Sequence, residues 1–204
     1  LRFAKNGATD VKMEYWDGSS WTQDAHTFAA SLNIDGCQAS SNFYIGNGSD
    51  NMHHWDGSAW AQTTNGTKGY YPTYYSRRLW VRDETNPDQI NFSGQWGDTG
   101  GDSEVIVDGG TPVTGATTSK LGDFTDGTSG YLRILPGSGS EVTGLFPFKG
   151  SLYVFLRNAI YRVAPASAAD TFTVSQVTSS VGCVSHRSIA QVEEDLFFAS
   201  DDGV

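Results

Sequence analysis

Apolar and polar residues alternate over short runs along the whole chain, and none of these runs carries the 3.6-residue period of an amphipathic helix. Val11-Lys12-Met13-Glu14-Tyr15, Phe43-Tyr44-Ile45, Gln89-Ile90-Asn91-Phe92-Ser93, Ser151-Leu152-Tyr153-Val154-Phe155 and Ala159-Ile160-Tyr161-Arg162-Val163 are typical, each bounded by Gly, Asn, Asp or Ser. A period of two in Val, Ile, Phe, Tyr and Trp predicts half-buried strands. The flanking residues predict tight turns, because Gly, Asn and Asp tolerate the backbone angles that turns need. The fold class is therefore all-β. At most one helical turn is expected, near Ser185 to Asp195, where Ile189 and Val192 fit better on a strand before Glu193-Glu194-Asp195.

The strands repeat as a unit. Tyr15-Trp16-Asp17-Gly18-Ser19-Ser20-Trp21 returns 39 residues later as His54-Trp55-Asp56-Gly57-Ser58-Ala59-Trp60. Each copy reads as a strand end, an Asp-Gly two-residue hairpin turn and a Trp opening the next strand, with the two Trp residues paired across the hairpin. A strand and a polar turn precede both copies: Leu1-Arg2-Phe3 and Phe43-Tyr44-Ile45. Weaker copies run from Arg78-Leu79-Trp80-Val81 into Gln89 to Ser93, from Ser151 to Phe155 into Ala159 to Val163, and from Glu194 to Phe198 into Asp201-Asp202-Gly203. A further strand precedes several copies, at Ser31 to Ile34, Tyr71 to Tyr75, Val142 to Phe146 and Ser188 to Val192.

Four strands per period of about 40 residues is the signature of a β-propeller blade. The expected architecture is a β-propeller, or part of one, with about five blade-like four-stranded units in a single domain over residues 1–204. The units fall at roughly 1–30, 31–69, 70–140, 141–183 and 184–204. The third carries a long insertion with strand-like pieces at Glu104-Val105-Ile106-Val107 and Tyr131 to Leu135, and the fifth is incomplete. Both ends read as cut inside a unit, so a fragment of a longer chain is expected.

The chemistry-bearing residues form no familiar catalytic pattern. Trp16, Trp21, Trp55 and Trp60 suit the layers between stacked blades better than a sugar-binding face. With Asp17, Gly18, Asp56 and Gly57 they constitute a structural repeat motif. It resembles the sialidase-type Asp-box hairpin but is one residue short between Asp and Trp. His53 and His54 point to opposite faces of a strand, and His26 and His186 lack ligand-like neighbours, so no metal site is expected. Asp98, Asp102, Asp108, Asp123, Asp126, Asp201 and Asp202 sit in Gly-rich turns without a calcium-loop pattern and read as solvated. Asp35, Asp83 and Asp195 are strand-end carboxylates without supporting context, and Arg77-Arg78 reads as a charged edge. No nucleophile elbow, phosphate loop or Cys-His pair is present. Catalytic, cofactor-binding and metal residues are thus expected to be none. Cys37 and Cys183 are too few and too far apart for a disulfide framework.

A net charge of −10 disfavours ordinary nucleic-acid binding, though not a conduit through which DNA passes without sticking. No run approaches the roughly 18 apolar residues of a membrane helix.

Two stretches carry a family resemblance. One is Ser76-Arg77-Arg78-Leu79-Trp80-Val81 followed by Pro87-Asp88-Gln89-Ile90-Asn91-Phe92-Ser93-Gly94. The other begins at Gly130-Tyr131-Leu132-Arg133-Ile134 and runs through Val142-Thr143-Gly144-Leu145-Phe146-Pro147-Phe148-Lys149-Gly150-Ser151-Leu152-Tyr153-Val154-Phe155. It continues with Val181-Gly182-Cys183-Val184-Ser185-His186-Arg187 and closes on Leu196-Phe197-Phe198-Ala199-Ser200-Asp201-Asp202-Gly203-Val204. Together they resemble the propeller proteins encoded among the virion structural genes of tailed bacteriophages, over about residues 70–204. The resemblance implies a non-enzymatic tail or head-to-tail component in the virion, made in the host cytoplasm, partnered by other virion proteins and assembled as a homo-oligomeric ring. It implies no cofactor, no specific nucleic-acid binding and no membrane association. A carbohydrate-binding propeller recognising surface glycans is the alternative, and a propeller glycoside hydrolase a weaker one. A lectin repeats its binding residues in every blade, whereas here the Trp-Asp-Gly-Ser-x-Trp motif occurs in two units of about five.

Overall fold

The computed structural model describes residues 2–6, 10–29, 34–96, 120–167 and 171–203. Among these described residues seventeen strands form five antiparallel sheets in chain order. The first sheet has three strands, β1 (Arg2–Asn6), β2 (Asp10–Trp16) and β3 (Trp21–Ala29). The second has four, β4 (Asp35–Ala39), β5 (Asn42–Gly46), β6 (His53–Trp55) and β7 (Trp60–Gln62). The third also has four: β8 (Gly69–Tyr75), β9 (Arg78–Asp83), β10 (Gln89–Phe92) and β11 (Gly130–Arg133). The fourth comprises β12 (Val142–Phe148), β13 (Ser151–Leu156), β14 (Ile160–Pro165) and β15 (Phe172–Thr178). The fifth has two strands, β16 (Ala190–Val192) and β17 (Asp195–Phe197), preceded by a 3₁₀ turn at His186–Ser188. Of the roughly five blade-like units expected, the last of them incomplete, three have four strands among the described residues, the first has three and the fifth two.

The sheets stack face to face, and four apolar clusters fill the four layers between them. Met13 and Phe28 of the first sheet meet Phe43, Ile45, Trp55 and Trp60 of the second. Ala39, Tyr44 and Met52 meet Leu79 and Val81 of the third. Trp80, Ile90 and Phe92 meet Leu145, Leu152 and Val154 of the fourth. Phe155 and Ile160 meet Ile189, Leu196 and Phe198 around the fifth. The alternation in sequence is what permits this: in β5, Phe43 and Ile45 face back while Tyr44 faces forward, and in β9 Leu79 and Val81 face back while Trp80 faces forward. Burying apolar area on both faces of each sheet is the main stabilising term, at about 25 cal/mol per Å².

Several expectations shift. Of the strand expected at Ser31 to Ile34, residues 31–33 lie outside the described residues; the first described strand of the second sheet is β4, Asp35-Gly36-Cys37-Gln38-Ala39, whose residues have little strand propensity and are held by pairing with β5. β15 had no sequence signal beyond scattered Val and Thr, because its side chains are mostly exposed. The insertion of the third unit lies between its third and fourth strands, since β11 pairs with β10 in register Ile90 to Leu132. The strand expected at Glu104 to Val107, and Asp98, Asp102 and Asp108, lie outside the described residues. Arg78 is no charged edge. It is fully buried, donating to the carbonyls of Ser93 (2.6 Å) and Thr128 (2.8 Å) with its guanidinium over the Phe92 ring.

Candidate functional site

Two places gather polar or aromatic side chains: the Asp-Gly hairpins of the first two sheets, and the meeting point of first strands from successive sheets.

Each hairpin has a loop of four residues rather than two, because the Trp pairs Trp16 to Trp21 and Trp55 to Trp60 close the ladders. The Asp side chain does the folding. Asp17 Oδ1 accepts from the amides of Ser19 and Ser20, both at 2.8 Å, and Oδ2 accepts from the hydroxyls of Ser20 and Thr22. The Ser20 and Ser19 amides hold this carboxyl well below the usual carboxylate range. Asp56 repeats the pattern with the amides of Ser58 and Ala59, both at 2.7 Å. Gly18 and Gly57 adopt φ of +104° and +103°, angles that favour glycine. Both carboxylates thus shape their own turns, Asp17 through both oxygens and Asp56 through Oδ1.

The tryptophans behave differently in the two copies. Trp55 and Trp60 lie 5.6 Å apart, and Tyr15 of the first sheet covers Trp55 at 4.8 Å, so this pair fills a layer between sheets. Trp16 and Trp21 lie 5.8 Å apart on the opposite face of the first sheet and are exposed. Among the described residues no sheet stands on that side. Arg2 sits over the Trp21 ring at 4.1 Å and donates to Glu14 at 2.6 Å.

The second place draws on four parts of the chain. β8 runs between β4 and β12, so the first strands of three sheets are neighbours. Pro72 lacks the amide that would continue the β8 ladder, and the register shifts between Tyr70 and Thr73. Tyr71 takes φ of +59° in this bulge, a conformation costing an aromatic residue about 1–3 kcal/mol. Its ring stacks on His186, 4.7 Å between centres. His186 Nδ1 accepts from the Leu145 amide of β12 at 3.4 Å. The neutral imidazole therefore carries its proton on Nε2. Burial pushes its pKa down, with Asp35 opposing and Arg187 reinforcing the shift. Arg187 Nε donates to Asp35 Oδ1 at 2.9 Å and its Nη2 to the Ile34 carbonyl at 3.0 Å. Burial likewise raises the Tyr71 hydroxyl, with Arg82 opposing.

Asp35, Tyr71, Leu145, His186 and Arg187 thus brace four units against one another. Sequence reading found Asp35 but missed His186 and Tyr71. The available signal was a proline inside a strand-like run. Among the described residues no hydroxyl or thiol is hydrogen-bonded to His186, and Asp35 is already occupied by Arg187. Asp83 caps its own turn through the amides of Thr85 and Asn86 and the Asn91 side chain. Asp195 sits on the exposed side of β17, remote in role from Asp35. His53 and His54 do face opposite ways: His53 meets Phe28 edge-on at 5.1 Å, and His54 lies against Tyr44 at 5.6 Å. Both thiols are structural. Desolvation pushes Cys37, packed beside the second and third sheets, up to about 12, and buried Cys183 donates to the Ser185 carbonyl. Among the described residues no three His, Cys, Asp or Glu side chains could hold a metal ion.

No protein-family model matches the chain, and no curated protein matches it.

Proposed function

We propose that this protein is a non-enzymatic β-propeller scaffold, a platform for protein–protein assembly in the tail or head-to-tail region of a tailed-phage virion. The observation that carries the propeller is the repeated two-faced packing: each internal sheet uses both faces, and the first strands β4, β8 and β12 lie side by side. Sheets packed in this way around their first strands form blades about an axis. The scaffold reading draws on the fate of the polar groups. The carboxylates of Asp17, Asp35, Asp56 and Asp83, the imidazole of His186 and the Cys183 thiol serve turns and braces. The virion assignment rests on the resemblance of residues 70–204 to propellers of phage structural gene modules. An acidic surface of net charge −10 suits a particle component that must not retain DNA.

The experiment is localisation on purified particles by cryo-electron microscopy, with an antibody against the chain. Density of five stacked blade-like sheets at the tail or the head-to-tail junction supports the assignment; particles that lack the chain overturn it.

The exposed Trp16–Trp21 pair with Arg2 beside it favours a second reading, glycan binding, since aromatic faces take up the apolar faces of sugars. The equivalent pair in the second sheet is covered by Tyr15, so the surface is not repeated from unit to unit. A glycan array with the wild type and Trp21→Ala checks it.

A further inference from the structure

The last strand of an antiparallel sheet points the amides and carbonyls of alternate residues outward. β15 is the outermost strand of the fourth sheet. Its phase is fixed just before its start, where the Ala166 amide donates to the Thr171 carbonyl at 2.9 Å. Two residues on, Thr173 stands opposite Ala164, and after two more Ser175 stands opposite Arg162. These are the residues bonded inward to β14, and their hydroxyls also donate to the Ala164 and Arg162 carbonyls, at 3.3 and 3.5 Å. The backbone groups of Phe172, Val174 and Gln176 therefore point away from the sheet, and no described strand pairs with them.

The other outer strands are protected. β7 has three residues, and β11 has four and ends on Arg133. β3 is long, but it carries Asp24, and its Ala29 amide donates to the Asp50 carboxylate of the second sheet at 2.9 Å. Shortness and charge are how sheet edges avoid pairing with other chains. β15 has neither. Its seven residues, Phe-Thr-Val-Ser-Gln-Val-Thr, include no charge and no proline, and Thr173 to Val177 are all exposed. Its one irregularity, between Gln176 and Thr178, comes at the far end.

We propose that β15 takes up an extended segment of another protein as a fifth strand of the fourth sheet. This rests on the platform reading and says where a partner docks. A row of outward backbone donors and acceptors is complemented by another extended backbone. The side chains of the segment follow from the two faces of β15. Phe172 packs edge-on against Trp80 and Phe92, at 4.8 and 5.1 Å, and Val174 lies opposite buried Val163. One side of the segment is thus apolar at every second residue. Thr173 and Ser175 line the other side, so the residues between are small and polar. A second copy of β15 would bring one body of net charge −10 against another, which like-charge repulsion opposes.

The test is amide hydrogen exchange by NMR on the whole chain, with a capped heptapeptide of alternating Val and Thr as the probe. In the protein alone, Thr173 and Ser175 should exchange slowly and Phe172, Val174 and Gln176 fast; the peptide should slow these three. The same peptide N-methylated at every second residue keeps its side chains and loses its donors. It should bind at least about tenfold more weakly, the effect of losing a few backbone hydrogen bonds. Val174→Pro removes an outward amide only, so it should weaken peptide binding to the same degree and leave the urea midpoint near wild type, whereas Ser175→Pro breaks the β14 ladder and should lower it. Equal binding of the two peptides overturns the inference. So do three amides that the peptide never slows, or a Val174→Pro as unstable as Ser175→Pro. A wild-type dimer that Val174→Pro dissolves overturns the foreign segment in favour of a second copy. A chain that binds the peptide but is absent from purified particles keeps the edge and discards the phage platform. A chain present in particles that ignores the peptide discards the edge alone.

Discussion

The imidazole of His186 stacks on the phenol ring of Tyr71, 4.7 Å between centres and inclined by 29°, although one residue opens the fifth unit and the other belongs to the third. The stack is held from a third direction by the Leu145 amide of the fourth sheet, and beside it Arg187 reaches Asp35 of the second, 152 positions away in the chain. A single dipeptide therefore reports on the mutual placement of four units.

That contact makes stability depend on pH. Burial depresses the His186 pKa in the folded chain below its unfolded value of about 6.5. The unfolded chain then binds the extra proton more readily, so this contribution is fully present above about pH 6.5 and is lost as the pH falls below it. Asp35 and Arg187 act on the same ring with opposite signs, and Tyr71 presents only its neutral face. His54 is depressed by desolvation in the same sense. The urea midpoint should fall between pH 7.5 and 5.5. In His186→Phe, which keeps the stack but has no Nδ1, the midpoint should lie below wild type at pH 7.5 and approach it at pH 5.5. Parallel pH curves for the two proteins would refute the assignment.

Gly48 is a packing glycine. A Cβ built there would lie 1.9 Å from the Tyr70 ring, which is sandwiched between this backbone and the Arg82 guanidinium at 4.8 Å. Gly48→Ala should destabilise the chain by about 1–3 kcal/mol through overpacking alone, with its φ of +74° adding strain. Gly57→Ala meets nothing within 4 Å and should cost about 1 kcal/mol from the backbone only. Chemical denaturation of the two variants side by side checks the ranking; equal losses would contradict it.

Arg78 should be irreplaceable by lysine. Its Nη1 donates to two carbonyls from segments 35 positions apart, those of Ser93 and Thr128, while the guanidinium carbon lies 5.4 Å from the centre of the Phe92 ring. Lys offers a point charge without the planar fork. Arg78→Lys should lose about 1–3 kcal/mol, the scale of a buried polar group left short of its partner. Arg78→Met should lose at least as much. Thermal unfolding of both variants decides; a Lys variant as stable as wild type would show that an ammonium serves both carbonyls as well as the guanidinium does.

Neither thiol should react in the folded chain. With its pKa pushed up to about 12, Cys37 at pH 8 holds about 10³-fold less thiolate than a free cysteine. Cys183 is fully buried. A disulfide reagent added to native protein should modify neither residue within minutes and both at once in denaturant. Rapid native labelling of Cys37 would mean that its layer opens.

Much of the fold was legible. Period-two alternation located the strands whose two faces are both buried, such as β9 and β13, and the 39-residue echo located the hairpins of the first two units. Two strands escaped. β4 reads Asp-Gly-Cys-Gln-Ala and owes its conformation to β5, while β15 is exposed on an edge and needs no apolar pattern. The hairpin Asp was visible as a turn residue, but not the four-residue loop its side chain builds. The Tyr71–His186 brace was hidden for a different reason. It joins residues from separate units through a bulge that a proline creates, and spacing along a chain carries no information about which units become neighbours.

The third sheet lets the chain out after β10 and takes it back at β11, and it fastens the doorway on both sides. The Lys120 amide donates to the Gln95 carbonyl at 3.3 Å, and the Gly94 amide donates to the Asp123 carbonyl at 2.8 Å. Lys120, almost wholly buried, adds an ion pair with Asp126. With the two margins tied to each other, the entropy cost of whatever is strung between them grows only with the logarithm of its length. The two ends of that excursion are therefore set by the third sheet's own residues, Gly94, Gln95, Lys120 and Asp123, which hold the doorway shut from inside the blade.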